Sequence, residues 1–220
     1  MRLGAAEIRF TTTTDGDFAP PASSDDADMA QRRRIIADFP WTWLRQVHGA
    51  DAVVVTEPGA HQGAEVDAAV AVVPQAPVAV VTADCAPIVL TDLNDACVSV
   101  VHAGWRGLME GVIPVAVDAM RANGAGEIKA ALGPCIHAEC YEFSEADLGV
   151  VTKRLGADVR GVTKHGAPAL DMPAAVRAAL HELQVELVHD ENACTSCTPG
   201  YWSHRARGDK QRQATVAWLA

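Results

Sequence analysis

The sequence predicts a mixed α/β (α+β) domain, with a mixed β-sheet core flanked by helices and one unit spanning residues 1–220. Three observations carry that expectation. Short continuous runs of valine, alanine and isoleucine recur between turn signals, as in a sheet covered on both faces. Helical stripes interrupt the series at residues 108–122, 145–154 and 173–183. Neither a fixed-period repeat nor a linker divides the 220 residues, and 49% hydrophobic content is enough for a sizeable core.

Residues 7–14 (E-I-R-F-T-T-T-T) read as the first strand, closed by the turn signal Asp15-Gly16. The Pro/Ser/Asp-rich stretch 15–30 reads as an exposed loop. Arg32, Arg33 and Arg34 read as the solvated face of a short helix leading to Phe39-Pro40. Apolar alternation over 41–55 gives two strands around a break at His48-Gly49, followed by a loop at 58–63. Strands follow at 67–73, 78–82, 88–91 and 97–102, with turns at 74–77 and 92–95. Met109, Val112, Ile113, Ala116, Val117 and Met120 form the stripe of helix 108–122, which Asn123-Gly124 stops. Pro114 inside that helix predicts a kink, or a start nearer Ile113. A buried strand at 128–132, the two later helices, and strands at 185–189 and 214–219 complete the chain.

A net charge of −10 argues against a nucleic-acid binder, which needs a basic face to neutralise phosphates. It leaves room for a local basic pocket holding one small anion. The N-terminal residues lack the apolar region of a signal peptide, and no apolar run approaches the ~20 residues of a membrane helix. The expected location is therefore cytoplasmic, with the six cysteines reduced.

His48, Cys85 and His102 each fall at a break after an apolar run, where sheet proteins place functional groups. Nitrogen and sulfur donors brought from separate segments suit a zinc or copper site with one open position. The same placement suits hydrogen-bonded structural residues, or a metal-free hydrolase with Cys85 as nucleophile activated by His102. Asp84 is placed to orient a histidine, to act as a general base or to cap a turn. Arg106, in a glycine-flanked turn ahead of a helix, offers a phosphate cradle or a surface ion pair. Trp105 offers a stacking wall or a hydrophobic plug. Arg205 and Arg207 lie in W-S-H-R-A-R, a segment that either closes over an anionic substrate or forms a polar loop. Cys135-x4-Cys140 and Cys194-x2-Cys197 are loosely spaced for an all-cysteine structural zinc site. No strand–motif–helix pattern of thioredoxin type surrounds the C-x-x-C.

R-Q-V-H-G (45–49), D-A-A-V-A (67–71), T-A-D-C-A-P-I-V-L (82–90), V-H-A-G-W-R-G (101–107) and G-P-C-I…C-Y-E-F (133–143) occur in that order. C-T-S-C…Y-W-S-H-R-A-R-G-D…R-Q-A (194–214) closes the series. Over nearly the whole chain this resembles the YfiH-like family, also described as laccase-domain or multicopper polyphenol oxidase proteins. The resemblance implies a YfiH-like α/β domain with a zinc pocket. Its ligands are the histidine of Q-V-H-G, the cysteine of T-A-D-C and the histidine of H-A-G-W-R-G, here His48, Cys85 and His102. It also implies purine nucleoside phosphorylase activity on adenosine, inosine and methylthioadenosine, with adenosine deaminase activity. Copper-dependent oxidation of phenols is an older description of the family.

On that basis the catalytic set is His48, Asp84, Cys85 and His102, and Trp105, Arg106, Arg205 and Arg207 take substrate and phosphate. The expected cofactor is one zinc ion per chain, with copper as the alternative. The expected partners are a purine nucleoside and phosphate, not nucleic acid or membrane, bound by a monomer or homodimer. The family's F-T-x-R-x-G-G segment is altered here to Phe10-Thr11-Thr12-Thr13-Thr14-Asp15-Gly16-Asp17, with no arginine and one glycine missing, and its S-x-N-L-G stretch is unrecognisable. Any phosphate contact made by that arginine falls to Arg106, Arg205 or Arg207. Eight scattered histidines without an H-x-H pair speak against a multicopper laccase. A non-catalytic binding module is the remaining reading.

Overall fold

The computed structural model describes residues 1–20 and 27–220. Its strands are β1 (Arg2–Leu3), β2 (Ala6–Phe10), β3 (Thr42–Trp43), β4 (Ala52–Val55), β5 (Ala68–Ala71), β6 (Val78–Thr82) and β7 (Ala86–Asp92). They continue with β8 (Val98–Ala103), β9 (Ile128–Leu132), β10 (Arg160–Val162), β11 (Pro168–Leu170), β12 (Glu186–Asp190) and β13 (Gln213–Leu219). The α-helices are α1 (Ala27–Ile36), α2 (Trp105–Glu110), α3 (Val112–Ala122), α4 (Glu145–Leu155), α5 (Met172–Glu182) and the short α6 (His204–Arg207).

Two mixed sheets make the core. One has six strands in the order β12-β9-β7-β8-β5-β4, and the other has five in the order β1-β2-β13-β6-β3. A small β10–β11 hairpin stands apart. All residues of β5, β7 and β8 are buried because both faces of their sheet are covered. Ala68, Val70, Ile88, Leu90 and Val101 pack into the core cluster that α3, α4 and α5 help to build. The alternate residues Ala69, Ala71, Val89, Val98 and Val100 meet Ile8, Val78, Val80, Ala217 and Leu219 of the five-stranded sheet. Each fully buried valine or leucine there contributes about 1.5–3 kcal/mol. The sheet covered on both faces is present, and its second cover is another sheet. The outer face of the five-stranded sheet is closed by Met29 of α1 with Phe18 and Trp41 against Ala79, Val216 and Trp218.

Several local expectations are corrected. The first strand ends at Phe10, and Thr13–Asp15 form a 3-10 turn in which the Asp15 carboxylate accepts the Thr12 N–H. Helix α1 begins inside the stretch read as a loop, of which residues 21–26 lie outside the described residues. The three arginines are not one solvated face. Arg33 lies over the rings of Trp41 and Trp43, and Arg32 is half-buried. The helix 108–122 is two helices meeting at Gly111, whose φ of 94° only glycine adopts without strain, and the expected start nearer Ile113 holds, since α3 begins at Val112. Pro114 takes the third position of α3, where its missing N–H interrupts no intrahelical bond.

Candidate metal centre and cavity

The Q-V-H-G segment is shaped by two side chains. Gln46 donates from Nε2 to the Val81 carbonyl at 2.7 Å and accepts the Val81 N–H at 2.8 Å, so its amide imitates a strand neighbour of β6. The chain then turns through His48 at φ 63°, a left-handed conformation costing a non-glycine residue about 1–3 kcal/mol. Asp67, just before β5, offsets that cost. Its carboxylate accepts the N–H groups of Val47 at 3.1 Å, His48 at 3.0 Å and Gly49 at 2.8 Å.

Cys85 lies in the turn between β6 and β7, beside Asp84 at φ 98°. Asp84 Oδ1 accepts the Thr195 hydroxyl at 2.8 Å, and Oδ2 accepts the Arg205 N–H at 2.7 Å. Its carbonyl accepts the Ile136 N–H at 2.9 Å. Both carboxylate oxygens are thus engaged in tying the cysteine turn to the C-terminal segment. The carboxylate that orients a histidine is Asp67, whose Oδ1 sits 2.7 Å from Nδ1 of His102 near the end of β8. That contact leaves Nε2 of His102 as the free ligand atom. D-A-A-V-A was visible in the sequence, but the role of its aspartate was not.

The structure brings His48, Cys85 and His102 together, with one ligand atom from each all within 4.8 Å of one another. Cys85 Sγ is 3.9 Å from His48 Nε2, and the two imidazole rings meet edge-on at 4.8 Å. Ligands at ~2.0–2.3 Å from a common zinc fit this spacing. Gly104 is required beside them, since a Cβ there would lie 2.8 Å from His48 Cδ2 and 3.2 Å from Cys85 Sγ. Burial opposes ionisation of Cys85, but the His102 charge and hydrogen bonds from both histidines outweigh it and bring the thiol down to about 6. Burial likewise works against the charged His102, yet the Cys85 charge and the Asp67 bond push it up to about 9. Asp67 is held below the usual carboxylate range, its burial overcome by His102 and the backbone N–H groups. Two imidazoles and an ionisable thiol, braced by a buried carboxylate, suit a zinc ion.

The triad opens onto a cavity of about 540 Å³. Its wall includes Arg45, Lys210 and Arg212 together with His204, and no Asp or Glu among the described residues. Arg45 pairs with the exposed Glu65 at 2.9 Å, while Arg212 donates to the Asp209 and Gln211 carbonyls. The pairing of Gln213 with Thr82 carries residues 210–212 to the cavity. Sequence reasoning missed these three cations, although Arg45 directly precedes the Q-V-H-G segment.

The arginines expected to hold phosphate sit elsewhere, and none of them lines this cavity. Arg106 lies over the Trp105 ring at 4.5 Å, Trp105 packs edge-on against Phe143, and Arg205 lies over Tyr141 at 4.8 Å. Trp105, Arg106 and Arg205 therefore share one aromatic patch. Tyr141 meets Phe143 edge-on at 5.4 Å and so completes the patch, and burial and then the Cys85 charge raise it to about 12. Arg207 is a loop brace, donating to the Asp209 carboxylate at 2.9 Å and to the carbonyls of Ser196 at 3.2 Å and Tyr201 at 2.6 Å. The all-cysteine set is also altered. Glu139, Cys140, Cys194 and Cys197 converge, and Cys135 is not among them.

Residues 17–220 match the family described as multi-copper polyphenol oxidoreductase laccase. A Mycobacterium bovis protein named purine nucleoside phosphorylase is 32% identical over 234 aligned positions, covering 98% of this chain and 93% of its own length. A Streptomyces coelicolor protein of the same name is 35% identical over 206 positions, covering 91% and 84%. Among solved structures, YlmD from Geobacillus stearothermophilus superposes with a TM-score of 0.83 at 28% identity, covering 98% of this chain and 92% of its own. A Neisseria meningitidis protein gives 0.82 at 25% identity, covering 99% and 95%.

Proposed function

The chain belongs to the multi-copper polyphenol oxidoreductase laccase family, and from that premise we propose that it is a zinc-dependent purine nucleoside phosphorylase. One observation carries the reading. In a protein of net charge −10, the cavity that holds His48, Cys85 and His102 has Arg45, Lys210 and Arg212 in its wall and no carboxylate among the described lining residues. That wall suits an inorganic anion. Its volume of about 540 Å³ falls in the range of about 300–1,000 Å³ found for small-molecule sites. The relatives' names supply the purine.

Phosphate, held by Lys210, Arg212 and Arg45, attacks C1′ of the ribose as the C–N glycosidic bond breaks with its electron pair going to the base. The proton lost by the attacking hydrogenphosphate balances the one the departing base takes up, so the products are ribose 1-phosphate and the free purine. His48, Cys85 and His102 would hold the zinc, which supplies Lewis acidity at an open coordination position. Asp67 fixes the His102 tautomer and the His48 turn. Asp84 is a positioning residue, acting through the Cys85 turn and α6. Trp105, Arg106 and Arg205 act at the aromatic patch, on the entry and orientation of the nucleoside. Adenosine, inosine and methylthioadenosine are the substrates of this proposal, with deamination of adenosine as a side activity. Its setting is the cytoplasm, in a one-domain monomer or homodimer. No helix among the described residues is long and apolar enough to cross a membrane.

Copper-dependent oxidation of phenols is the less favoured reading. Reduction of O2 by a laccase calls for several coppers in histidine-rich sites. The metal-capable groups of the described residues are a two-histidine, one-cysteine set and a thiol–carboxylate set.

Zinc-loaded protein incubated with inosine or adenosine, with and without phosphate, tests the proposal. Ribose 1-phosphate is expected only with phosphate, and is lost in Cys85→Ala. No turnover by the zinc-loaded protein, together with phenol oxidation by the copper-loaded form, would overturn it.

A further inference from the structure

A second group of metal-capable side chains lies outside the triad. Cys194 is buried at the start of a tight turn, and its Sγ accepts the His137 N–H at 3.4 Å. The turn is closed by the Thr198 N–H on the Cys194 carbonyl at 2.8 Å, which aims Cys197 back beside Cys194. From the facing segment, Cys140 ends the 3-10 turn Ala138–Cys140, and Glu139 places Oε1 3.8 Å from Cys197 Sγ. One ligand atom each from Glu139, Cys140, Cys194 and Cys197 lies within 4.8 Å of the others. The His137 N–H is aimed at the Cys194 sulfur, and three sulfurs with a carboxylate brought this close together from two segments make a donor set for a soft cation.

We propose that Glu139, Cys140, Cys194 and Cys197 form a second, structural zinc site, distinct from the His48–Cys85–His102 centre. Three thiolates and one carboxylate are a four-donor set that closes a tetrahedron and leaves no position for substrate. Soft sulfur donors favour zinc over magnesium or calcium. On binding, each thiol passes its proton to solvent and its sulfur lone pair to the metal, with no change of oxidation state. The site staples the segment 133–143 to the segment 194–208. The second of these carries Thr195 and Arg205, the two hydrogen-bond donors to the Asp84 carboxylate, and His204, which lines the cavity. Zinc here holds the C-terminal wall of the cavity in place and takes no part in the reaction.

The test uses the full chain, stripped of metal under reducing conditions, reloaded with zinc, desalted and measured by elemental analysis. The wild type is expected to hold two zinc ions per chain. Cys85→Ala, which removes a ligand of the other centre, keeps one, and adding Cys197→Ser to it removes that one. Cys197 is exposed, so its substitution leaves the core undisturbed. Cobalt in the Cys85→Ala protein gives a spectroscopic check, an intense thiolate-to-metal absorption that the double variant loses. A Cys85→Ala protein that holds no zinc and shows no thiolate–cobalt band overturns the proposal. So does zinc that survives both Cys140→Ser and Cys197→Ser, or an oxidised Cys194–Cys197 pair that persists in the presence of reductant and zinc. None of these readouts depends on turnover, so the site stands or falls separately from the phosphorylase reading.

Discussion

Asp67 holds Nδ1 of His102 at 2.7 Å with the same carboxylate that caps the backbone of the other histidine ligand. One buried acid thus sets the tautomer of one ligand and the backbone of another. Asp67→Asn keeps the shape but presents an amide N–H to groups that need an acceptor. Zinc affinity at the triad is expected to fall about 10–100-fold, read by competition with a chromophoric chelator. Unchanged affinity would mean that His102 is oriented by something other than Asp67.

Gly104→Ala puts a methyl group against His48 and Cys85, both of which must keep their places to ligate. The variant is expected to fold, as judged by circular dichroism, while losing metal from the triad. A metal content equal to wild type would contradict the close packing around the ligands.

Gly149 offers the opposite case. It lies inside α4 with nothing within 4 Å of the position its Cβ would take, so Gly149→Ala adds helix propensity without a clash. A gain of about 0.5–1 kcal/mol in urea denaturation is expected.

Lys210 makes no ion pair among the described residues and faces the cavity. Lys210→Ala is expected to raise the KM for phosphate about tenfold, equivalent to ~1.4 kcal/mol, with the KM for nucleoside little changed. Equal increases in both constants would assign the lysine to the nucleoside instead. Arg207→Ala is expected to lower the melting temperature, since its guanidinium braces a loop through the Asp209 carboxylate and the carbonyls of Ser196 and Tyr201.

Asp84→Asn replaces an acceptor that receives two donors, leaving one of them opposed by an amide N–H. A loss of about 1–3 kcal/mol in stability is expected, together with weaker zinc binding as the Cys85 turn loosens. Rescue of activity by added external base would instead mark Asp84 as a proton acceptor in the reaction.

The strands 78–82 and 128–132 were legible because turn residues bound them on both sides, and the structure places β6 and β9 at those positions. Helix α1 was legible only at its three arginines; its first turn was not, because Met29 is its one buried residue and leaves no periodic stripe. The triad stood out because each ligand marks a local event, the end of an apolar run. The partners of the triad are a different matter. Asp67 reaches His48 through a strand 19 residues away, and the pairing of β13 with β6 brings residues 210–212 to the cavity. Those meetings depend on which strands become neighbours, information spread over the whole chain. The same holds for Arg33, whose place over Trp41 and Trp43 follows from how α1 docks.

His48 follows a strand of the five-stranded sheet, His102 belongs to a strand of the six-stranded sheet, and Cys85 sits where the chain steps from one to the other. The triad is therefore a gauge of the spacing between two layers whose shared seam is filled by Ala69, Val80, Val89 and Ala217. A small slide of either layer spreads the donors, and a metal gripping all three resists the slide. Truncating Val89 would then loosen zinc without changing any ligand, and chelation would let the seam breathe to hydrogen exchange.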